Sequence, residues 1–350
     1  MSIARNFYYL SLALLFFISS YLSAEMLDLE KFFEQDIVIE NKQIDIPGYP
    51  YAFNPSIVRW KNSLLMSIRH IPNAKDSFTS HIGLVWLDEN FNPTGKPQFL
   101  NPRPQSSRAP LRAEDARLLT VNDRLYIIYS DNEDVKISKG GFRVYVAELI
   151  NDNGYFSIKE PECLSQFEGE NKNLREKNWV PFDYEGNLLL AYSISPHKIL
   201  QPRLDKSGSC DVVFSTQNNF TSWEWGIPRG GTPGLKIGNE YLSFFHSSVE
   251  MQTLHSNQKK IWHYFMGAYT YEAAPPFTIT RTSKIPIVGD RFYNGFEYRP
   301  YWKPVKVVFP CGFIHDYNYV WVVYGKDDHE IWITKLDKNK LLESLLPVGN

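Results

Sequence analysis

The residues best suited to chemistry in this sequence form one short element, Glu114-Asp115-Ala116-Arg117. Two adjacent carboxyl groups beside a guanidinium can supply a proton donor, because neighbouring charges decide when a carboxyl group ionises. Cleavage of a glycosidic bond requires such a donor, together with a nucleophile on the opposite face of the sugar ring. The same element also fits an ordinary Asp–Arg pair that holds a strand in place, so the residue types alone leave both interpretations open.

Further polar and basic residues stand at the ends of short apolar segments. These residues are Asn54, Ser56, Arg69, Lys236, His246 and Asp328. A lone basic side chain at such a position is usually solvated, so neither Arg69 nor Lys236 indicates a site by itself. They become informative only if the fold brings them together with Asp115.

The elements that must position these residues are hairpins, because one pattern occurs five times along the chain. Each copy starts with a polar or small residue, continues as a short apolar strand, turns at Gly, Asn or Asp, and resumes as a second strand. The copies are 54–58 with 63–69, 114–118 with 125–131, 178–182 with 188–193, 232–236 with 241–246, and 307–310 with 320–325. Further strands are expected at 82–87, 142–149, 265–271 and 331–336.

Four strands in each repeat predict an all-β fold, a five-bladed β-propeller that forms a single domain after an N-terminal signal segment. We expect residues 1–24 to be the signal segment, 25–50 a lead-in, and 51–340 the propeller that carries the site. The innermost strand of every blade faces a central channel, so the polar hairpin ends would meet there. A β-sandwich built from the same hairpins is the alternative that periodicity leaves open.

Composition excludes several classes of function. The 350 residues carry 37 basic and 39 acidic side chains, a net charge of -2, which gives no electrostatic footprint for nucleic acid. Aromatic residues make up 15%, which suits flat faces for sugar rings as well as core packing. No metal-ligand spacing occurs, so neither a metal nor an organic cofactor is predicted. Cys163 and Cys210 would suit a disulfide in an oxidising compartment, whereas Cys311 is expected to be buried.

The first residues have the features of an export signal. Arg5 provides a positive charge, residues 7–22 are almost entirely apolar, and Ala24 is a small residue of the kind that precedes a cleavage point. This pattern predicts a secreted or periplasmic protein. The apolar run is also long enough for an uncleaved membrane anchor, which is the alternative interpretation and the one case in which a membrane would be a partner.

Several motifs occur in the order of one known family. Glu114-Asp115-Ala116-Arg117 is similar to a Glu-Asp-Pro-Arg element with alanine in place of proline. The other matching elements are Asn54-Pro55-Ser56 with Arg69, Lys236 ten residues before His246, Val308-Phe309-Pro310-Cys311-Gly312, and Tyr324-Gly325-Lys326-Asp327-Asp328. From about residue 53 to 336 the chain resembles glycoside hydrolase family 130, the mannoside phosphorylases and hydrolases, and related propeller mannosyltransferases.

The resemblance implies a five-bladed propeller that acts on β-linked mannosides with inversion, with an oligosaccharide or glycan as substrate. By position it implies that Asp115 is the catalytic acid. It implies substrate contacts from Asn54, Ser56, Arg69, Glu114, Arg117 and Asp328. It implies contacts to phosphate, or to the phosphates of a sugar nucleotide, from Lys236 and His246. Arg175 or Lys177, just before Asn178, could replace another phosphate contact.

One departure from the family keeps the reaction open. Ser193 stands where the phosphorylases carry an arginine that binds phosphate. Three reactions are consistent with this change: phosphorolysis, transfer from a sugar nucleotide, and hydrolysis with a carboxylate as the base. The candidate bases are Asp131, Asp327 and Glu250. A non-catalytic sugar-binding propeller is the remaining alternative, although it would not need the Glu114-Asp115 pair.

Overall fold

The structure is a computed structural model that describes residues 26–76, 79–102, 112–132, 141–168, 176–218, 223–295 and 303–349. Nearly all of its regular elements are strands. In chain order they are α1 (Leu29–Phe32), β1 (Val38–Ile44), β2 (Ala52–Trp60), β3 (Ser63–His70), β4 (His81–Leu87), β5 (Gln98–Phe99), β6 (Glu114–Val121), β7 (Arg124–Asp131), β8 (Arg143–Asp152), β9 (Tyr155–Leu164), β10 (Val180–Tyr184), β11 (Asn187–Ser193), β12 (His197–Pro202), β13 (Cys210–Thr216), β14 (Arg229–Gly230), β15 (Leu235–Ile237), β16 (Glu240–Met251), a 3-10 turn (Leu254–Ser256), β17 (Ile261–Glu272), β18 (Ile279–Thr282), β19 (Val305–Lys306), β20 (Val308–His315), β21 (Tyr319–Lys326), β22 (Glu330–Asp337), α2 (Lys338–Ser344) and β23 (Leu346–Pro347).

Within the described residues these strands form five sheets. Three are consecutive four-stranded meanders, β2 to β5, β6 to β9 and β10 to β13. The fourth sheet has seven strands built around β16 and β17, and the fifth has the order β1-β22-β21-β20. Inner strands of neighbouring sheets are in contact, β20 with β2, β2 with β6, β6 with β10 and β16 with β20, so the sheets are arranged around a common axis. The predicted all-β propeller fold is therefore confirmed.

Two short segments form strands of the propeller sheets although they lie outside the propeller that the sequence predicted. β1, in the segment expected to be a lead-in, pairs antiparallel with β22 and forms the outer strand of the last sheet. β23, beyond the expected end of the propeller, pairs with β18 in the fourth sheet. Both segments alternate polar and apolar residues only weakly, which is why neither produced a strand signal.

The core consists of apolar layers between neighbouring sheets. Ile127 of β7 packs toward the first sheet together with Leu65, whereas the next residue, Ile128, packs toward the third sheet together with Leu190. Successive side chains of a strand point to opposite faces, so a strand covered on both faces needs apolar residues at consecutive positions. Each buried aliphatic side chain contributes roughly 1.5 to 3 kcal/mol.

The first strands of the first and second sheets both contain a β-bulge near their start. The register shifts between Phe53 and Ser56 in β2 and between Glu114 and Arg117 in β6, each time with one residue in the left-handed region: Asn54 at φ 46° and Asp115 at φ 55°. Asn178, just before β10, has φ 63°. Asn and Asp tolerate this conformation better than other non-glycine residues. A bulge re-aims the side chain that it carries, so these residues are directed out of the regular pleat.

The remaining observations concern the cysteines, membrane-spanning helices, metal-binding clusters and the signal segment. Cys163, Cys210 and Cys311 form no disulfide with one another, and Cys311 is fully buried. The part of the chain that the structure describes contains no helix long and apolar enough to cross a membrane, and no cluster of three metal-binding side chains. The predicted signal segment and Arg175 lie outside the described residues, and the roles suggested for them stay predictions.

Candidate active site

Asp115 lies at the start of β6 and has 7% of its surface exposed. Two groups from the first sheet bind the same oxygen, Oδ1. The side-chain amide of Asn54 donates to it at 2.8 Å, and the guanidinium of Arg69 donates at 3.3 Å. Oδ2 is therefore the oxygen that points away from the first sheet's donors.

Glu114, beside Asp115, is the centre of a buried ionic network. Its carboxylate is 2.6 Å from a terminal nitrogen of Arg69 and forms a second ion pair with the ammonium of Lys177. Lys177 and Arg112 both lie over the ring of Phe142, at 3.6 and 4.8 Å. Burial, followed by the positive charges of Arg69 and Arg112, lowers the pKa of Lys177 well below its usual value. Glu114 therefore holds two cations beside Asp115.

Arg117 serves the scaffold. Its side chain is buried, and its guanidinium donates to the backbone oxygens of Asp115, Gly230 and Gly231 and to the side chain of Asn178. Burial lowers its pKa. These bonds leave little of the guanidinium for a ligand, so the predicted substrate contact from Arg117 conflicts with the structure.

Asn54 and Ser56 have different surroundings although they are two residues apart. The buried Oδ1 of Asn54 has no hydrogen-bond partner among the described residues. Ser56 is fully buried, and its Oγ accepts a hydrogen bond from the backbone N–H of Leu118 at 3.1 Å. Oδ1 of Asn54 thus lies against Gly325, whereas Ser56 ties β2 to β6 and contradicts the expectation of a direct substrate contact.

His246 lies in β16 and is 3% exposed. Its ring contacts Phe309 at 4.4 Å and lies parallel to Tyr264 at 6.2 Å. Burial, followed by the charges of Arg117 and Arg229, lowers the pKa of His246 to about 3, so the imidazole is neutral at physiological pH. Its Nδ1 is buried without a hydrogen-bond partner in the described part of the chain.

Asp328 lies on the same side of the molecule as Asp115. The turn that carries it has two consecutive left-handed residues, Asp327 at φ 51° and Asp328 at φ 58°. Burial raises the pKa of the central Cys311 thiol, and the charges of Arg117, Asp115, Asp328 and Arg69 all act on that thiol. The carboxylate of Asp328 also acts on Lys177. The predicted grouping of Asn54, Asp115, His246 and Asp328 is consistent with these relations.

Lys236 does not belong to this group, and the expectation that it faces the same pocket is wrong. In β15 it pairs with Tyr241, whereas Arg229 pairs with His246 on the same strand. Five residues of strand separate the two positions, or about 17 Å. Lys236 is exposed and lines a separate cavity of about 480 Å³ with Thr120 and Glu185, beside the hairpin turns.

The three carboxylates considered as hydrolytic bases have different surroundings. Asp327 is 3% exposed, accepts the backbone N–H of Val307 at 2.8 Å and lies 3.6 Å from Lys306. Asp131 is buried and accepts the N–H of Asn132 at 2.6 Å. Glu250 is exposed, and its carboxylate lies 3.8 Å from Lys260. Hence Lys306 and Lys260 engage Asp327 and Glu250, whereas Asp131 lies at the end of β7 that adjoins Glu114, because Ser130 pairs with Glu114.

Charge around Asp115 is predominantly positive. Among the described residues the cations of this region are Arg69, Arg112, Arg117, Lys177 and Arg229, and the carboxylates are Glu114, Asp115 and Asp328. Sequence reasoning missed Arg112, Asn178, Arg229 and Tyr264 as members of the site. The glycine pair after Arg229 was the available signal, because adjacent glycines often allow a close approach of backbones.

The inner strands of this propeller bring a buried carboxyl group, an amide and several cations together. This combination is typical of carbohydrate-active enzymes. The chain matches the family model described as beta-1,4-mannooligosaccharide phosphorylase over residues 23–346. It belongs to glycoside hydrolase family 130, whose members act on mannosides. No functionally curated protein matches the chain.

Solved structures share the fold at low sequence identity. A β-1,2-mannobiose phosphorylase from Listeria innocua is 16% identical with a TM-score of 0.56, over 89% of this chain and 95% of its own. A glycosyl hydrolase from Bacteroides ovatus is 16% identical with a TM-score of 0.58, over 90% and 97%. A GDP-mannose-dependent mannosyltransferase from Leishmania mexicana is 10% identical with a TM-score of 0.58, over 88% and 92%. At these identities the likeness concerns the fold alone.

Proposed function

We propose that this protein is an inverting phosphorylase of β-linked mannosides, with Asp115 as the catalytic acid. The observation that carries the proposal is the excess of cations around Asp115, combined with the engagement of Asp327 by Lys306 and of Glu250 by Lys260. An inverting hydrolase needs a second carboxylate to activate water. A phosphorylase replaces that carboxylate with phosphate, and such a site must be basic.

The geometry suits the acid step. Asn54 and Arg69 hold Oδ1 of Asp115, which leaves Oδ2 to carry the proton to the leaving oxygen. In this proposal Asp328 accepts a hydroxyl of the sugar, because its carboxylate acts on Lys177, which pairs with Glu114 beside Asp115. Glu114, itself bound by Arg69 and Lys177, positions these cations and does not contact substrate in this proposal.

The reaction balances without a further co-reactant. One phosphate oxygen attacks the anomeric carbon from the α face while the bond to the β-oriented leaving oxygen breaks. The proton of Asp115 goes to that oxygen, and the products are α-mannose 1-phosphate and a sugar shortened by one unit. Inversion follows because attack and departure are on opposite faces of the ring.

The arrangement of the sheets and the N-terminal sequence support two further parts of the proposal. We infer that each of the five sheets is one blade, which makes the molecule a five-bladed propeller. We also propose that the apolar segment 7–22 directs export, so that the enzyme acts outside the cytoplasm. Fractionation of expressing cells, with Edman sequencing of the mature chain, tests the second part; a cytoplasmic chain that keeps Met1 would overturn it.

The test of the reaction uses five arms with one enzyme preparation. β-1,4-Mannobiose and β-1,2-mannobiose are each incubated with phosphate and without it, and GDP-mannose is supplied with mannose as acceptor. The proposal expects mannose 1-phosphate only in the arms that contain phosphate. Free mannose without phosphate would establish a hydrolase, and a new disaccharide from GDP-mannose would establish a transferase. Sugar binding without any product would establish a binding protein.

A further inference from the structure

Arg229 lies in β14, a two-residue strand that the sequence did not predict. Arg229 pairs with His246 of β16, and Gly230 pairs with Phe245. The strand is confined on both sides. A Cβ on Gly230 would lie 2.2 Å from the backbone oxygen of Asn178, and a Cβ on Gly231 would lie 2.4 Å from that of Phe244. Only glycine lets the backbone pass here, so the position of Arg229 between the third and fourth sheets is fixed.

Arg117 holds this segment in place through hydrogen bonds. Its buried guanidinium donates to the backbone oxygens of Gly230 and Gly231 and to the side chain of Asn178, which follows Lys177. One residue of the second sheet therefore holds Arg229 and the Lys177-Asn178 pair in register. Arg229 itself is exposed, and its charge acts on His246 and Tyr264.

Two side chains beside Arg229 show what kind of ligand would fit. His246 is neutral and buried, its ring is next to the backbone of Gly230, and its Nδ1 has no other partner among the described residues. Tyr264 lies parallel to the His246 ring, and the charges of Asp328 and Arg229 both act on its phenol. A cation beside an unsatisfied neutral imidazole and a phenol can bind an oxyanion through one charged and two neutral groups.

Ser193 cannot provide the charge that its position has lost. Its hydroxyl donates to the backbone oxygen of Pro196 at 2.6 Å, and this bond closes the turn between β11 and β12. A guanidinium for an anion must therefore come from another strand.

We propose that Arg229 is the guanidinium that binds the phosphate dianion, with His246 as its neutral hydrogen-bonding partner. This inference rests on the proposed phosphorolysis for the source of the phosphate. The shared chemistry is a phosphate group, and its two sources are inorganic phosphate and the diphosphate of a sugar nucleotide. The experiment therefore measures anion binding directly and does not depend on turnover.

Calorimetry compares binding of inorganic phosphate and of GDP to the full-length protein, Arg229→Ala and Arg229→Lys. Arg203→Ala is the matched control, because Arg203 is an exposed arginine paired with Asp211 away from the site. A hydrogen bond to a charged group predicts that Arg229→Ala weakens phosphate binding roughly 10- to 100-fold. Arg229→Lys should recover part of the loss, and Arg203→Ala should bind like the parent. Thermal melting checks that all variants are folded.

The outcomes separate this inference from the proposed function. Phosphate binding that is equal in the parent and Arg229→Ala would overturn the role of Arg229 even if phosphorolysis is observed. GDP binding that falls only in Arg229→Ala, with no binding of inorganic phosphate by the parent, would support Arg229 and overturn phosphorolysis. An equal loss in Arg203→Ala would show a general charge effect and would also overturn the assignment.

Discussion

The side-chain amide of Asn54 donates a hydrogen bond of 2.8 Å to Oδ1 of Asp115, across the boundary between the first and second sheets. Both residues occupy the same left-handed backbone position at the start of an inner strand. The side chains of two equivalent bulge residues, one from each sheet, are therefore hydrogen-bonded to each other. The pair sets the orientation of the carboxyl group before any substrate binds.

Replacing Asp115 by Asn removes the proton donor while keeping the shape of the side chain. We expect kcat for mannobiose phosphorolysis to fall by roughly 10²- to 10⁴-fold, the usual contribution of general acid catalysis. Aryl mannosides with acidic leaving groups should lose much less, since they need no proton. Sugar binding, measured by calorimetry, should be retained. An equal loss for both substrate types would argue against Asp115 as the acid.

Gly325→Ala tests the support behind Asn54. A Cβ at position 325 would lie 1.9 Å from Oδ1 of Asn54 and 2.9 Å from its backbone nitrogen, so Asn54 must move away from Asp115. We expect kcat/KM to fall on the order of 100-fold, as for misplacements of about 1 Å. Gly95→Ala is the matched control, because nothing lies within 4 Å of its added Cβ. Unchanged kinetics in Gly325→Ala would mean that Asn54 does not hold the acid.

Two arginine–glutamate pairs allow a comparison of buried and exposed ion pairs. Arg69→Met leaves the nearly buried Glu114 with one cation fewer, and should lower the free energy of unfolding by roughly 3 kcal/mol. Arg59→Met breaks a pair with Glu89 whose side chains are 47% and 68% exposed, and should cost about 0 to 1 kcal/mol. Urea denaturation of the two variants measures both values. Equal losses would show that Lys177 alone satisfies Glu114.

Asp327 makes stability depend on pH. Burial raises the pKa of Asp327 to about 7 from a usual 3.8, although Lys306, Val307 N–H and Lys326 oppose the rise and Glu330 adds to it. The unfolded chain releases this proton first, so the contribution of Asp327 to stability is complete below about pH 4 and is lost as the pH rises to about 7. The stability of Asp327→Asn relative to the parent should therefore increase over this range and then level off.

Urea denaturation at several pH values measures this difference, and the slope with pH is compared because the variant also leaves Lys306 without its carboxylate. Asp211→Asn, at an exposed pair with Arg203, serves as the control. Parallel curves for the parent and Asp327→Asn would contradict the raised pKa.

Lys236 offers a test of the corrected site. It is exposed at the hairpin end of the fourth sheet, so Lys236→Ala should change KM for phosphate by less than about twofold, as for ordinary surface positions. Lys177→Ala, beside Glu114, should raise that KM substantially. Steady-state kinetics with varied phosphate distinguishes them, and a large effect of Lys236→Ala would restore the original expectation.

The repeated hairpins made the fold predictable, because each needed only an apolar run, a turn and a second run. Asn54 and Asp115 were predictable for a related reason, since both stand at the same point of the repeat. Lys236 was misplaced because a count of ten residues to His246 ignores the turn between them. Lys236 lies in β15 and pairs with Tyr241, which is five residues before His246 in β16. Arg117 and Ser56 were found, but sequence could not tell that they bind the protein itself.

The residues that sequence reasoning missed depend on contacts between distant segments. Arg229 owes its place to the tight passage of Gly230 past Asn178, a relation between residues about fifty positions apart that no local pattern records. β1 was missed because its burial depends on β22, at the other end of the chain.

That last pairing also affects how the molecule is made. Val38–Ile44 is among the first strands to leave the ribosome, and its partner Glu330–Asp337 is among the last. Pairing across almost the whole chain closes a very long loop, which slows folding and leaves an uncovered strand edge during synthesis. Completion of the last sheet therefore waits for the synthesis of Glu330–Asp337, and the ring of sheets that holds Asp115 closes only after that strand has emerged.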